Sequence, residues 1–165
     1  MKYIIVMCGG CGKTTLFNKY PNIFLDIDYF IWNFNNKIYR KDLLEYCENG
    51  DIDNISKLYK KIMNENQDLR NDPRIILTHH PDNAKELNRI CLDIVRPKKH
   101  LHLKNISSRD DIMKQFAIND YNNLTQYDPF EFDNYNVLEE RLLALSHKAL
   151  NLTQAHTFAI NHFFS

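Results

Sequence analysis

The sequence predicts an α/β domain in which a parallel β-sheet is covered by helices on both faces. Three observations predict it. A short apolar run, Tyr3-Ile4-Ile5-Val6, passes through a glycine-rich loop straight into a segment that can continue as a helix. Further apolar runs of strand length then alternate with longer stretches of helical spacing, as strand-helix-strand units require. The five prolines, Pro21, Pro73, Pro81, Pro97 and Pro129, fall where one pattern gives way to the next.

Taken in order, the first strand is followed by a helix that Pro21 ends, and Ile23 to Asp28 reads as the second strand. An aromatic-rich segment, Tyr29, Phe30, Trp32 and Phe34, leads to a turn at Asn35-Asn36-Lys37. Helices are expected from about Lys41 to Cys47 and from Ile52 to Asn66, where Ile55, Leu58, Tyr59, Ile62 and Met63 keep one face apolar. Arg74 to Thr78 is the third strand, and Pro81-Asp82 opens a helix reaching Leu87, Ile90 and Cys91. Lys98 to Lys104 reads as a fourth strand. Ser107 and Ser108 then cap a helix, with Asp110 and Asp111 in capping-box spacing. A longer helix is expected from Val137 to Leu150, and a last strand from His156 to Ile160.

A length of 165 residues suits one compact domain. Lys+Arg and Asp+Glu both number 21, so no net charge draws the chain to nucleic acid or to an anionic membrane. The apolar run at the N-terminus is too short for a signal peptide or a membrane span, which predicts a cytoplasmic protein. Cys8-x-x-Cys11 has no second Cys-x-x-Cys or His-x₃-His to complete a zinc site, so the four cysteines are read as free thiols. His100-x-His102 is read as part of a polar strand face.

The chemistry concentrates in Met7-Cys8-Gly9-Gly10-Cys11-Gly12-Lys13-Thr14-Thr15. Strand, glycine loop, Gly-Lys-Thr and helix is the order of a phosphate-binding P-loop. Three of the four glycines lie here, and they let backbone N–H groups turn inward towards phosphate oxygens. The helix N-terminus adds its partial positive charge at the same point. Gly9, Gly10, Cys11, Gly12, Lys13, Thr14 and Thr15 are therefore the expected nucleotide-binding residues. Lys13 would reach the β- and γ-phosphates, and the Thr14 hydroxyl would ligate Mg²⁺. Met7 stands where the pattern G-x-x-x-x-G-K-[ST] has its first glycine.

An Asn-Lys-x-Asp base-reading motif and an Asp-x-x-Gly switch are both missing, which removes the GTPase reading. With its small size and a helical insert between strands two and three, the chain instead resembles the nucleoside-monophosphate-kinase-like P-loop kinases. That resemblance implies the three-layer P-loop NTPase fold, with a five-stranded parallel sheet in the order 2-3-1-4-5. It also implies one domain over 1–165, with an acceptor-binding insert at about 29–72 and a lid at about 105–125. Asp26-Ile27-Asp28 looks like the Asp-x-Asp ending strand two of shikimate and gluconate kinases. One carboxylate there lies near Mg²⁺ and the other contacts the acceptor hydroxyl, often as its base. Alternation places Asp26 and Asp28 on one strand face, which makes Asp26 the metal-side candidate and Asp28 the catalytic one. Strand three ends in Thr78-His79-His80 and supplies no Walker-B aspartate, which favours Asp26 further. Arg109 is the candidate to meet charge on the transferred phosphoryl group.

The expectation is an ATP- and Mg²⁺-dependent kinase acting on a small molecule, with a nucleotide or nucleoside preferred as acceptor. The alternatives are a metabolite-hydroxyl kinase, a polynucleotide 5′-hydroxyl kinase and a nucleotide-binding module without turnover.

Overall fold

In the computed structural model, which describes residues 1–33 and 37–163, the first apolar run forms β1, Tyr3–Met7, with every residue buried. Consecutive buried residues point to opposite faces of a strand, so both faces of the sheet are covered at this point. The glycine loop leads into α1, Lys13–Lys19, and β2 follows at Phe24–Asp26. Between β2 and β3 (Ile75–Thr78) lie α2 (Ile27–Asn33), α3 (Lys37–Glu48), α4 (Ile52–Glu65) and α5 (Gln67–Asn71). Asp51 caps α4 by accepting from the Asn54 N–H, which fixes its start where the sequence places it. Phe34, Asn35 and Asn36 lie outside the described residues.

Two expected strands are corrected. Lys98–Lys104 is not a strand: Lys99–Ile106 forms helix α7. The fourth strand is β4, Ile90–Pro97, in a stretch that the sequence reading took in part for the end of a helix. That helix is a single turn, α6 (Asn83–Glu86), stopped where Asn88 adopts a left-handed φ of 53°. The expected last strand at His156–Ile160 lies inside the long helix α9, Tyr135–Phe163. The true β5 is only three residues, Phe130–Phe132, directly after Pro129. Ser107 and Ser108 do not cap the next helix either. The cap of α8, Asp111–Asn123, is Asp110, whose carboxylate accepts from the Met113 N–H at 2.8 Å.

All pairings are parallel and the order is β2-β3-β1-β4-β5. Ile4 sits between Ile76 of β3 and Cys91 of β4, and a bulge at Leu92 shifts the register before Asp93 meets Ile5. A parallel sheet in this order brings the C-terminal ends of β1, β2 and β3 together at one edge, where ligands bind in open α/β sheets. No helix among the described residues is long and apolar enough to cross a membrane.

Candidate active site

The loop between β1 and α1 owes its shape to two glycines. Gly10 and Gly12 have φ of 82° and 89°, which side-chain-bearing residues rarely adopt. At Gly10 a Cβ would also lie 2.6 Å from the Ile106 side chain. The outer side of the loop is held by α7. The His102 ring sits with Nε2 2.8 Å from the Gly9 carbonyl, and the Asn105 amide donates to the Gly10 carbonyl at 3.1 Å. His102 is therefore not on a strand face. It is buried in a helix and stacked on Tyr121 at 4.6 Å. Met7 closes β1 in ordinary extended backbone with its side chain fully buried, so this position does not call on glycine's freedom.

Lys13 opens α1 and is 6% exposed. Its ammonium stands 3.4 Å from the Met7 and Cys8 carbonyls, 3.3 Å from His79 Nδ1 and 3.7 Å from Asp28 Oδ2. Burial opposes its charge, but Asp28 and Asp26 outweigh burial and raise its pKa. None of these contacts is a short charge-assisted bond, so the buried cation has capacity for a closer anionic partner. One residue on, the Thr14 hydroxyl donates to Asp26 Oδ2 at 2.7 Å. Thr14 and Asp26 together present hard oxygen donors of the kind that suit Mg²⁺.

Asp28 is not on the strand. It lies in the first turn of α2, whose start is fixed by the Asp28 N–H donating to Asp26 Oδ1 at 3.1 Å. The two carboxylates are thus brought close to the loop by different elements rather than by alternation along one strand. Asp28 accepts from the Tyr59 hydroxyl at 3.1 Å, and both of its oxygens are 2.7 Å from His79 Nε2. The other ring nitrogen of His79, Nδ1, is 3.1 Å from Asp120 Oδ2 on α8. Burial presses the His79 pKa down, yet the Asp28 charge, with Asp120 adding to it, raises the value from 6.5 to about 9. For Asp28, burial is likewise outweighed, here by the His79 and Lys13 charges, and its pKa falls well below the usual carboxylate range.

These groups face a cleft of about 1170 Å³, lined by Gly9, Gly10, Gly12, Lys13, Thr14, Thr15 and Asp28 among others. Arg109, between α7 and α8, lines the same cleft, and its guanidinium makes no ion pair among the described residues. Cys8 and Cys11 are buried free thiols whose sulfurs share a hydrogen bond at 2.8 Å. Of the aromatic segment, Phe30 and Trp32 pack on the core, Trp32 also reaches the cleft wall, and Tyr29 is exposed and in tilted ring contact with Phe17.

Three groups that the sequence reading left unassigned thus join the site: His79, Asp120 and Tyr59. The missing Walker-B aspartate drew attention to the end of strand three, where His79 stands. No local signal marks Asp120 among the other polar residues of its helix.

No family model and no curated protein matches the chain. Solved structures do. A gluconokinase from Sinorhizobium meliloti 1021 superposes with a TM-score of 0.54 at 12% identity, covering 93% of this chain and 96% of its own. A shikimate kinase from Bacteroides thetaiotaomicron gives 0.54 at 15% identity, covering 93% of this chain and 98% of its own. The chain shares the fold of these two structures. Both superpositions span nearly the whole of this chain, whose own sheet runs in the order β2-β3-β1-β4-β5.

Proposed function

We propose that the protein transfers the γ-phosphoryl group of ATP to a hydroxyl of a small molecule. The observation that carries this reading is the meeting of Thr14 with Asp26 and of Lys13 with Asp28 around one cleft. The loop amides and Lys13 bind and orient the phosphates, and the α1 N-terminus adds its dipole. Thr14 and the Asp26 carboxylate would hold Mg²⁺, whose charge would offset that of the phosphates. Asp28 is ionised at neutral pH, so it accepts a hydrogen bond from the acceptor hydroxyl, aims its oxygen at phosphorus and takes its proton late. Such a late transfer suits a loose transition state, in which positioning supplies most of the catalysis. Arg109, which lines the same cleft, would meet charge on the phosphoryl group.

The fold likeness to a gluconokinase and a shikimate kinase favours a metabolite hydroxyl over the nucleotide acceptor that the sequence first suggested. Charge supports the same choice. Among the described residues, the segment between β2 and β3 brings one cation, Lys60, to the cleft, beside Trp32, Leu43, Ile52, Ile55 and Met63. A nucleoside monophosphate brings about two negative charges and would call for more. The test is a panel assay of phosphoryl transfer from Mg²⁺-ATP to sugar acids, cyclic polyols, nucleosides, deoxynucleotides and 5′-hydroxyl oligonucleotides. Transfer to a hydroxyl compound is the expected result; transfer only to monophosphates would overturn the reading.

A further inference from the structure

The end of β3 carries no carboxylate, and His79 stands in its place with both ring nitrogens engaged. Nε2 lies 2.7 Å from each oxygen of Asp28, on α2, and Nδ1 lies 3.1 Å from Asp120, on α8. Two further groups flank the same carboxylate: Tyr59 of α4 donates to one oxygen, and the Lys13 ammonium of α1 stands 3.7 Å from the other. Asp120 is drawn over the phosphate loop as well, since a Cβ on Gly9 would lie 3.1 Å from Ala117 and 3.5 Å from the Asp120 carboxylate. One imidazole therefore joins the acceptor side, the phosphate loop and the helix above them.

We infer that His79, oriented by Asp120, is a positioning residue that holds the Asp28 carboxylate in its working direction, and that Asp120 sets the ring's rotation. The inference rests on the phosphoryl-transfer reading for the role of Asp28. Its physical basis is geometric. A carboxylate held by one ring N–H and one phenol has lost its freedom to rotate, and a ring held at both nitrogens has lost its own. Positioning of this kind matters because a displacement of 1 Å at a reacting group costs about 10²-fold in rate. Among the described residues, the charges facing His79 from the elements packed against it are Lys13, Asp28 and Asp120, and the two carboxylates keep the ring protonated at neutral pH. A protonated ring donates from both nitrogens, which is what the two contacts need.

The experiment has two arms. In the unliganded protein, NMR of the imidazole resonances of His79 is expected to show titration well above the ordinary histidine range. Asp120→Ala should lower that value and Asp120→Asn should lower it less, since the amide oxygen still accepts from Nδ1. Titration of His79 in the ordinary range, or indifference to Asp120→Ala, overturns the inference without reference to any acceptor. In the kinetic arm, with the alcohol that the panel identifies, His79→Ala should lower kcat by about 10²-fold with KM for ATP little changed. Asp120→Ala should follow it in direction, and Asp120→Asn should recover most of the loss. Combining His79→Ala with Asp28→Asn decides the role: no further loss beyond Asp28→Asn alone is expected, because His79 acts through Asp28. Additive losses overturn the inference while leaving the transfer reading intact. Absence of transfer to every compound, with the NMR coupling present, overturns the transfer reading and this catalytic role with it.

Discussion

Lys13 and Asp28 make the most direct statements about the chemistry. The Lys13 ammonium is buried and, among the described residues, has only long contacts, to backbone carbonyls, His79 and Asp28. A charge that touches phosphate in both the ground and the transition state contributes to both binding and turnover. Lys13→Ala is therefore expected to weaken Mg²⁺-ATP binding in calorimetry and to slow transfer together. Unchanged affinity and rate would remove the phosphate-loop reading. Asp28→Asn keeps the shape of the side chain and the Tyr59 contact, and removes the charge that directs the hydroxyl. Proton transfer by a positioned group is typically worth ~10²–10⁴-fold, so a kcat loss of that size is expected with a hydroxyl acceptor. A loss of only a few-fold would point to an acceptor that arrives already deprotonated.

At the scale of elements, α7 does work that its sequence disguises. His100, His102 and Lys104 alternate as a polar strand face would, yet the segment is a helix that supports the phosphate loop from behind. By engaging the Gly9 and Gly10 carbonyls on the outside, His102 and Asn105 hold the loop in the shape that its inward N–H groups need. Losing the buried His102 bond should cost about 1–3 kcal/mol of stability, read by denaturant unfolding. Asn105 is less buried, so Asn105→Ala should leave the fold intact and raise the Kd for Mg²⁺-ATP several-fold. An unchanged Kd in Asn105→Ala would show that the loop keeps its shape without this support.

For the molecule as a whole, the buried charges at the sheet edge tie stability to pH. His79 binds its proton more tightly in the folded chain, with a pKa raised from 6.5 to about 9. Its contribution is fully present below pH 6.5 and is lost as pH rises through about 9. Asp28 has the opposite sign: its depressed pKa contributes stability above its ordinary value of 3.8, lost as pH falls through the depressed value. His79 and Asp28 form one ion pair, so each change of charge acts on the same interaction. The difference in thermal midpoint between wild type and His79→Gln should therefore change as pH rises from 6.5 through about 9, the wild type losing stability relative to the variant. An equal slope in His79→Gln would place the titrating group elsewhere.

What the sequence determined by itself was local. The glycine loop, the buried first strand and the start of α4 at Ile52 are legible because neighbours in the chain create them. The likeness of the loop and of Asp26-Ile27-Asp28 to known kinases further implied five parallel strands in the order observed. Only the tertiary structure decided which segments fill the fourth and fifth places. Ile90–Pro97 is half-buried and bulged, and Phe130–Phe132 is three residues at an edge, so neither carries a clean period-2 pattern. The tertiary structure also assembled the site around Asp28. His79 is 51 residues away from it, and Asp120 arrives from a helix beyond β4. Contacts of that kind follow from the crossovers of a parallel sheet, which bring distant strand ends to one edge, and no spacing within the chain encodes them.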